Sequence, residues 1–309
     1  MTLLLIDGDV VAYLACKPRL KTTETGQYEI TPKGEKLPIF SEREDSEYFK
    51  KCWVEFNKII DDLRETLFSD YYKMAVKGKS NFRDELFEGY KAHRKNTARN
   101  KFVPMLRSKA VEEGMAVEAD NMEADDCLRI WAEEARNKGT PFIVCSVDKD
   151  LKCIVGSHFN LKKNIFSKVT EWEATKFFYE QVLQGDPTDG IKGLPGIGPA
   201  KAQAMLDGLE TEEELQFTVA MFYFEFFGSR WKEELILNGS LLYLLKSHAD
   251  KFTIDSWNIP EEILSMEDVS EEHSSIIEEV TNELPKSFSI GISFNAASPT
   301  PKKFKVPED

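Results

Sequence analysis

Short apolar runs alternate with stretches of helical periodicity over the first half of the chain. Leu3-Leu4-Leu5-Ile6 is apolar throughout and stops at Asp7-Gly8-Asp9, the pattern of a central parallel strand buried on both faces. Residues 10–17 read as a first helix with Asp9 as its N-cap. The polar stretch from Lys21 to Glu44, punctuated by Gly26, Pro32, Gly34 and Pro38, reads as a surface insertion or hairpin. Phe49, Trp53, Phe56, Ile60, Leu63 and Leu67 then recur at helical spacing and predict a helix over about 46–68. Tyr71 to Val76 is a second short strand, and Met122 to Arg136 is a helix ending near Gly139. Phe142 to Val147 is a third strand, broken by Asp148-Lys149-Asp150. Strands alternating with helices, with acids at the strand ends, predict a doubly wound α/β sheet whose site lies along its carboxyl edge. From Trp172 onward the pattern is mostly helical, and the aromatic run Val219 to Phe227 reads as core packing. There is no internal repeat.

The 309 residues are 41% hydrophobic and 11% aromatic, enough for a sizeable core, which excludes a disordered chain. Lys plus Arg number 40 against 54 Asp plus Glu, a net charge of −14, so any nucleic acid must be bound through a local basic patch. Residues 251–283 hold ten of the acids against the single base Lys251. That segment reads as a solvated helical face, or else as a surface for a replication partner or a DNA-mimicking flap. The residues from about Ala297 read as a flexible tail. Cys16, Cys52, Cys127, Cys145 and Cys153 form no CxxC pair and read as reduced thiols of a cytoplasmic protein. No apolar run approaches the ~18 residues of a membrane span, and the start lacks a basic leader, so the expectation is a soluble protein that stays where it is made.

Carboxylates gather in four segments: Asp7; Glu123, Asp125 and Asp126; Asp148 and Asp150; Asp186 and Asp189. Any one of them reads equally well as a cap or an Asx-turn. Three of the four fall at the carboxyl edge of the same predicted sheet, where crowded negative charge calls for a cation. All-oxygen donors select Mg²⁺ or Mn²⁺ rather than zinc, and the four histidines show no HExxH spacing. On a regular helix Glu123 and Asp126 share a face and Asp125 does not, so the three act together only if Glu123 lies at the helix entry.

Two further segments point to phosphate. Gly89 to Val111 contains Lys91, Arg94, Lys95, Arg99, Lys101, Arg107 and Lys109 and no acid, with Arg83 seven residues before Tyr90, a distribution suited to a nucleic-acid backbone. Gly185-Asp186-Pro187-Thr188-Asp189-Gly190 leads into Gly193-Leu194-Pro195-Gly196-Ile197-Gly198-Pro199-Ala200-Lys201-Ala202. Its glycines allow a tight turn before a helix opened by Pro199, which reads as a helix-hairpin-helix element gripping phosphate through backbone amides. The Walker pattern GxxxxGK[ST] is missing, which disfavours an NTPase.

Leu5-Ile6-Asp7-Gly8-Asp9, Arg83 with Tyr90-Lys91-Ala92-His93-Arg94, Glu123-Ala124-Asp125-Asp126, Asp148-Lys149-Asp150 and the Gly185 to Ala202 segment occur in the order found in flap-endonuclease-type 5′→3′ nucleases. Over roughly residues 2–210 the chain resembles a phage 5′→3′ exonuclease of this family, related to the 5′-nuclease domain of bacterial DNA polymerase I. The resemblance implies a PIN-like α/β core over residues 1–184, with a helical arch at about 84–112. It implies a helix-three-turn-helix subdomain over 185–250, followed by the acidic extension 251–309.

The resemblance also implies roles. Asp7, Glu123, Asp125, Asp126, Asp148, Asp150, Asp186 and Asp189 would be direct or water-mediated ligands of two Mg²⁺ or Mn²⁺ ions. Lys91 and Arg94 would reach from the arch to the scissile phosphate. Arg83, Tyr90, Lys95, Arg99, Lys101, Gly193, Gly196, Gly198 and Lys201 would contact DNA, with a K⁺ at the Gly193–Gly198 turn in many relatives. The implied reaction is hydrolysis of DNA phosphodiesters to 5′-phosphates at flaps, nicks or 5′ ends, with RNA/DNA hybrids as a further substrate. Its setting would be phage replication or primer removal in the cytoplasm of an infected bacterium. One position departs: Val76 stands where the family carries a metal-binding aspartate, so the expectation is that Asp70 or Asp84 leans in, that a water fills the gap, or that the metal binds more weakly. The rival readings are a PIN-type ribonuclease and a catalytically weakened DNA-junction binder.

Overall fold

The computed structural model describes residues 2–16, 26–30, 36–92 and 100–259. Six strands form one sheet in the order β5-β4-β1-β6-β7-β8: β1 (Leu3–Asp7), β4 (Tyr71–Val76), β5 (Val117–Glu118), β6 (Phe142–Ser146), β7 (Gly156–Asn160) and β8 (Ile165–Val169). All neighbours are parallel except β7 and β8, which form an antiparallel edge hairpin. A separate ribbon pairs β2 (Tyr28–Ile30) with β3 (Lys36–Pro38), in the stretch the sequence assigns to an insertion or hairpin.

The apolar run of β1 lies between β4 and β6 because it is covered on both faces. Leu4 and Ile6 pack with Val11 of α1 (Gly8–Ala15), Phe56 and Ile60 of α2 (Glu42–Thr66) and Leu106 of α4 (Phe102–Glu112). Leu5 packs on the other side with Ala75, Val144 and Leu128 of α5 (Ala124–Asn137). This is the predicted layering, and it leaves the strand ends Asp7 and Ser146 along one edge. A third cluster is helical and joins α6 (Glu171–Gln184), α7 (Pro199–Met205), α8 (Glu212–Phe227) and α9 (Trp231–Leu242). It buries Val219, Ala220, Met221, Tyr223 and Phe224, so most of the aromatic run is core. The remaining helix, α3 (Phe82–Leu86), is short.

Two expectations shift locally. Asp7 rather than Asp9 caps α1, its Oδ1 accepting from the Val10 amide at 3.0 Å, because the helix starts at Gly8. The helix expected from 46 begins at Glu42, where Ser41 and Glu44 form a reciprocal capping box that fixes the start earlier than the apolar spacing does. Among the described residues no helix is long and apolar enough to cross a membrane, and all five cysteines are free thiols.

Candidate active site

Parallel strands end together, so the carboxyl edge gathers the segments that leave them. Asp7 ends β1. Ser146 ends the neighbouring β6, and its hydroxyl donates to Asp7 Oδ2 at 2.6 Å. Beyond Ser146 the chain turns: the Asp148 amide donates to Ser146 Oγ at 3.0 Å and the Asp150 amide to Asp148 Oδ1 at 2.9 Å. Gln181 of α6 is buried and donates to Asp150 Oδ1 at 2.7 Å.

Opposite these lies the start of α5. Glu123 is the N-cap residue, the condition the sequence set for its segment to work as a group, but the partition differs from the expected one. Asp125 faces the cavity, whereas Asp126 turns away. Asp126 is fully buried and accepts from Arg83 Nη1 at 2.6 Å, Arg83 Nη2 at 2.9 Å, the Leu245 amide at 3.0 Å and the Glu123 amide at 2.9 Å. With four donors, two on each oxygen, and the pairing to a buried guanidinium, Asp126 has no acceptor capacity left and is not placed as a metal ligand. Arg83, read as a DNA contact, is only 1% exposed and also donates to the carbonyls of Leu241 and Tyr243, so it fastens α9 to the sheet domain while lining the cavity.

A cavity of about 160 Å³ opens between these elements, lined by Glu123, Asp125, Asp148, Asp150, Asp186 and Asp189 together with Arg83, Lys91 and Lys149. Asp186 and Asp189 reach it from the turn after α6, where Asp186 Oδ1 accepts from the Thr188 amide at 2.7 Å. Lys91 has a left-handed backbone with φ 51°, uncommon for a residue with a side chain. It is held there by its amide donating to Asp189 O at 2.8 Å. Its ammonium is thereby brought onto Glu123 and lies 3.3 Å from Asp189 Oδ2.

The charges do not balance. Burial, opposed in part by the Ser146 hydrogen bond, pushes Asp7 up to about 6, with Asp9 and Asp148 adding repulsion. Burial likewise raises Asp150 to about 6, helped by Asp148. Asp125 is held well above the carboxylate range by burial and by the charges of Asp7, Glu123 and Asp148. Glu123 goes the other way: burial opposes its charge, but Lys91 and Arg83 lower it overall. An excess of buried carboxylates asks for a further cation, and the donors are oxygens suited to a hard divalent ion. Among the described residues no three of these side chains converge tightly enough to form a closed coordination shell. The cavity has room for an ion that keeps several waters, as Mg²⁺ does.

The other sequence candidates are distributed more widely. Tyr90 is buried at 2% exposure, with its hydroxyl on Glu123, so it supports the site rather than the DNA surface. Lys101 is exposed and paired with Asp45. Gly193 lies against Gly185, where a Cβ would come within 2.3 Å of the Gly185 nitrogen, while a Cβ at Gly196 or Gly198 would meet nothing within 4 Å. Lys201 donates to Gly196 O at 3.1 Å. Arg94, Lys95 and Arg99 lie outside the described residues, as do the acidic run beyond Ile259 and the tail. Neither Asp70 nor Asp84, the expected substitutes for the aspartate at Val76, lines the cavity. Asp70 precedes β4, at the opposite end of that strand from Val76, and pairs with Arg64, while Asp84 is exposed on α3.

Sequence reasoning did not find Ser146, Gln181 or Asn81, whose side-chain amide donates to Glu123 Oε1 at 3.2 Å. Ser146 had a signal, a lone hydroxyl closing an apolar strand. Gln181 had none.

The sequence profile of the 5′-3′ exonuclease N-terminal resolvase-like domain matches residues 2–182. The chain belongs to this family. The DNA polymerase I of Bacillus caldotenax is 30% identical over 188 residues, which are 56% of this chain and 21% of that protein. A 5′-3′ exonuclease of Mycoplasma pneumoniae is 26% identical over 221 residues, 66% of this chain and 70% of the relative. The chain thus spans only a fraction of the polymerase relatives, 14% in Rhizobium leguminosarum. In fold it is similar to the T5 D15 protein co-crystallized with metal ions, with a TM-score of 0.53 and 14% identity over 80% of this chain and 89% of that one.

Proposed function

We propose that the protein is a divalent-metal-dependent 5′→3′ nuclease that hydrolyses DNA phosphodiesters at 5′ flaps, nicks or ends. The observation that carries this reading is the cavity where Asp125, Asp148, Asp150, Asp186 and Asp189 surround space beside the Lys91 ammonium. Asp7 stands close enough to raise Asp125 by its charge.

The residues that would hold the ion are Asp7, Glu123, Asp125, Asp148, Asp150, Asp186 and Asp189. Mg²⁺ or Mn²⁺ bound there, as one ion or a pair, would supply Lewis acidity and a water of lowered pKa. The chain's own side chains do the rest. Ser146 and Gln181 fix Asp7 and Asp150 in place, and Asn81 and Tyr90 hold Glu123. Lys91, on its strained residue, presents a positive charge to a phosphate oxygen as charge grows there, where partial burial strengthens the attraction. Arg94 and the basic residues Lys95, Arg99 and Lys101 extend that role along the strand. Duplex DNA would lie on the open Gly196–Gly198 turn and Lys201, with K⁺ as a candidate ion at that turn.

The proposal divides the chain at about 184 and 250, with an arch at 84–112 and an acidic extension as a candidate surface for replication proteins. It places the protein in a cytoplasm. A PIN-type ribonuclease is disfavoured by the glycine turn. Cleavage assays with a 5′-labelled flap, nicked duplex, RNA/DNA hybrid and single-stranded RNA, with and without Mg²⁺, test the reading. Metal-dependent cleavage of the DNA flap is expected, and cleavage of single-stranded RNA alone would replace the reading with the ribonuclease one.

A further inference from the structure

A larger groove adjoins the carboxylate cavity, and nothing in the mechanism uses it. It has a volume of about 620 Å³ and runs between the β7–β8 hairpin and α6. Asp148 and Lys149 line both the cavity and the groove, so the two sites are immediate neighbours.

The groove is cationic in an acidic protein. Lys149, Lys152, Lys163, Lys168 and Lys176 line it, against Asp148, Glu173 and Glu180. One of those acids is already engaged: Glu173 accepts from the Thr170 amide and hydroxyl at 2.7 and 2.8 Å. Lys149 and Lys176 have acidic partners outside the groove, Asp150 at 4.0 Å and Asp207 at 3.9 Å, whereas Lys163 and Lys168 are exposed on the hairpin. Half-buried aromatic surface lies among the lysines, from Trp172 and Phe177 of α6, and Lys152 sits 5.9 Å over the Phe177 ring.

We infer that this groove binds an unpaired DNA strand continuous with the nucleotide at the carboxylates. The inference rests on the nuclease reading and specifies where the single-stranded part of the substrate lies. A row of positive charge interleaved with aromatic faces is what a single strand requires. The phosphates take the ammonium groups, and any base stacks on a ring without regard to sequence. Duplex contacts are assigned elsewhere, to the glycine turn.

The test compares wild type with Lys163→Ala/Lys168→Ala, two exposed positions where truncation leaves the core intact. Binding is measured with Ca²⁺ replacing Mg²⁺ to a ten-nucleotide oligo-dT, to a nicked duplex without a flap, and to the same duplex with a ten-nucleotide 5′ flap. The expected result is a loss of about tenfold on oligo-dT and on the flap's added affinity, with nicked-duplex binding changed less than twofold. The slope of log K against log salt for oligo-dT should shrink by about 1.4, since each phosphate contact to a single strand contributes about 0.7. Trp172→Phe should remove part of the fluorescence quenching caused by oligo-dT. Unchanged oligo-dT affinity and slope, with normal flap cleavage, would overturn the groove while leaving the nuclease reading intact. An equal loss on the flapless duplex would reassign the lysines to duplex and also overturn it. Absence of DNA binding by wild type would defeat both.

Discussion

Arg83 and Asp126 face each other through hydrogen bonds of 2.6 and 2.9 Å, with both side chains sealed from solvent. The pair ties α3 to the start of α5, and through the Leu241 and Tyr243 carbonyls it ties both to the end of α9. It therefore sets the position of Glu123 and Asp125, and Arg83 also lines the cavity, whereas Asp126 does not.

Asp126→Asn is expected to act on stability. Removing one partner leaves a buried guanidinium uncompensated, at about 3–5 kcal/mol, a drop in melting temperature of roughly 10 °C for a chain of this size. Asp148→Asn is expected to do the opposite: it withdraws one of several repelling carboxylates from an exposed position, so melting holds or rises while cleavage is lost. Melting curves and single-turnover rates on both variants check this. An Asp126→Asn protein as stable as wild type would contradict the structural role.

The raised carboxylates predict how metal and pH combine. Asp7 and Asp150 ionise near 6 in the fold against about 4 in the unfolded chain. The fold binds the extra protons, so their contribution to stability is complete below about pH 4 and is lost as the pH rises through 6. A divalent ion should offset that loss once the groups are charged. The rise in melting temperature on adding Mg²⁺ to chelator-treated protein is expected to be several degrees at pH 7.5 and close to zero at pH 5. An equal rise at both would contradict the assignment of the carboxylates to the ion.

Lys91→Ala is expected to lower the single-turnover rate by about 10²–10³-fold, the range for losing one preorganised charge in a transition state, while substrate affinity falls far less. A simple phosphate anchor would give the reverse, weaker binding with an unchanged rate at saturation. A titration of substrate under single-turnover conditions separates them.

The glycines of the turn separate into structural and surface positions. Gly193→Ala should destabilise the fold, since φ is +58° and the added Cβ meets the Gly185 backbone. Gly198→Val is the cleaner probe of DNA contact, because its φ of −112° suits any residue and its surroundings are open. It should weaken duplex binding and leave the melting curve and oligo-dT binding nearly unchanged.

The layered sheet was legible because β1 and β6 carry nearly pure apolar runs and β4 ends in the buried Met74-Ala75-Val76, a pattern that burial on both faces imposes. The carboxylates were legible as a group for the same reason, since parallel strands end on one edge. The direction of each side chain was not. Asp125 and Asp126 are adjacent in sequence, yet one faces the cavity and the other accepts from Arg83, a partner 43 positions away. Arg83 read as a phosphate ligand because a sequence does not reveal that its charge is already neutralised inside. The β7–β8 hairpin was missed because Ile165, Phe166, Ser167 and Lys168 are all exposed, leaving no alternation to read. Val76 kept its meaning only in part. It is 1% exposed and packs with Leu4 and Ile6, the strand positions that alternate with Asp7, so Val76→Asp is expected to lower stability and leave the Mg²⁺ midpoint unchanged.

The role proposed for the carboxylate cavity is cleavage of DNA with the help of a divalent ion. The most direct measurement is cleavage of a 5′-labelled flap by wild type and by Asp148→Asn across a Mg²⁺ titration, with binding in Ca²⁺ as the control. The account predicts cleavage near the flap junction that rises with Mg²⁺ and vanishes in chelator, and an Asp148→Asn protein that binds the flap but does not cut it. Cleavage by wild type in chelator, or undiminished cleavage by Asp148→Asn, would contradict it.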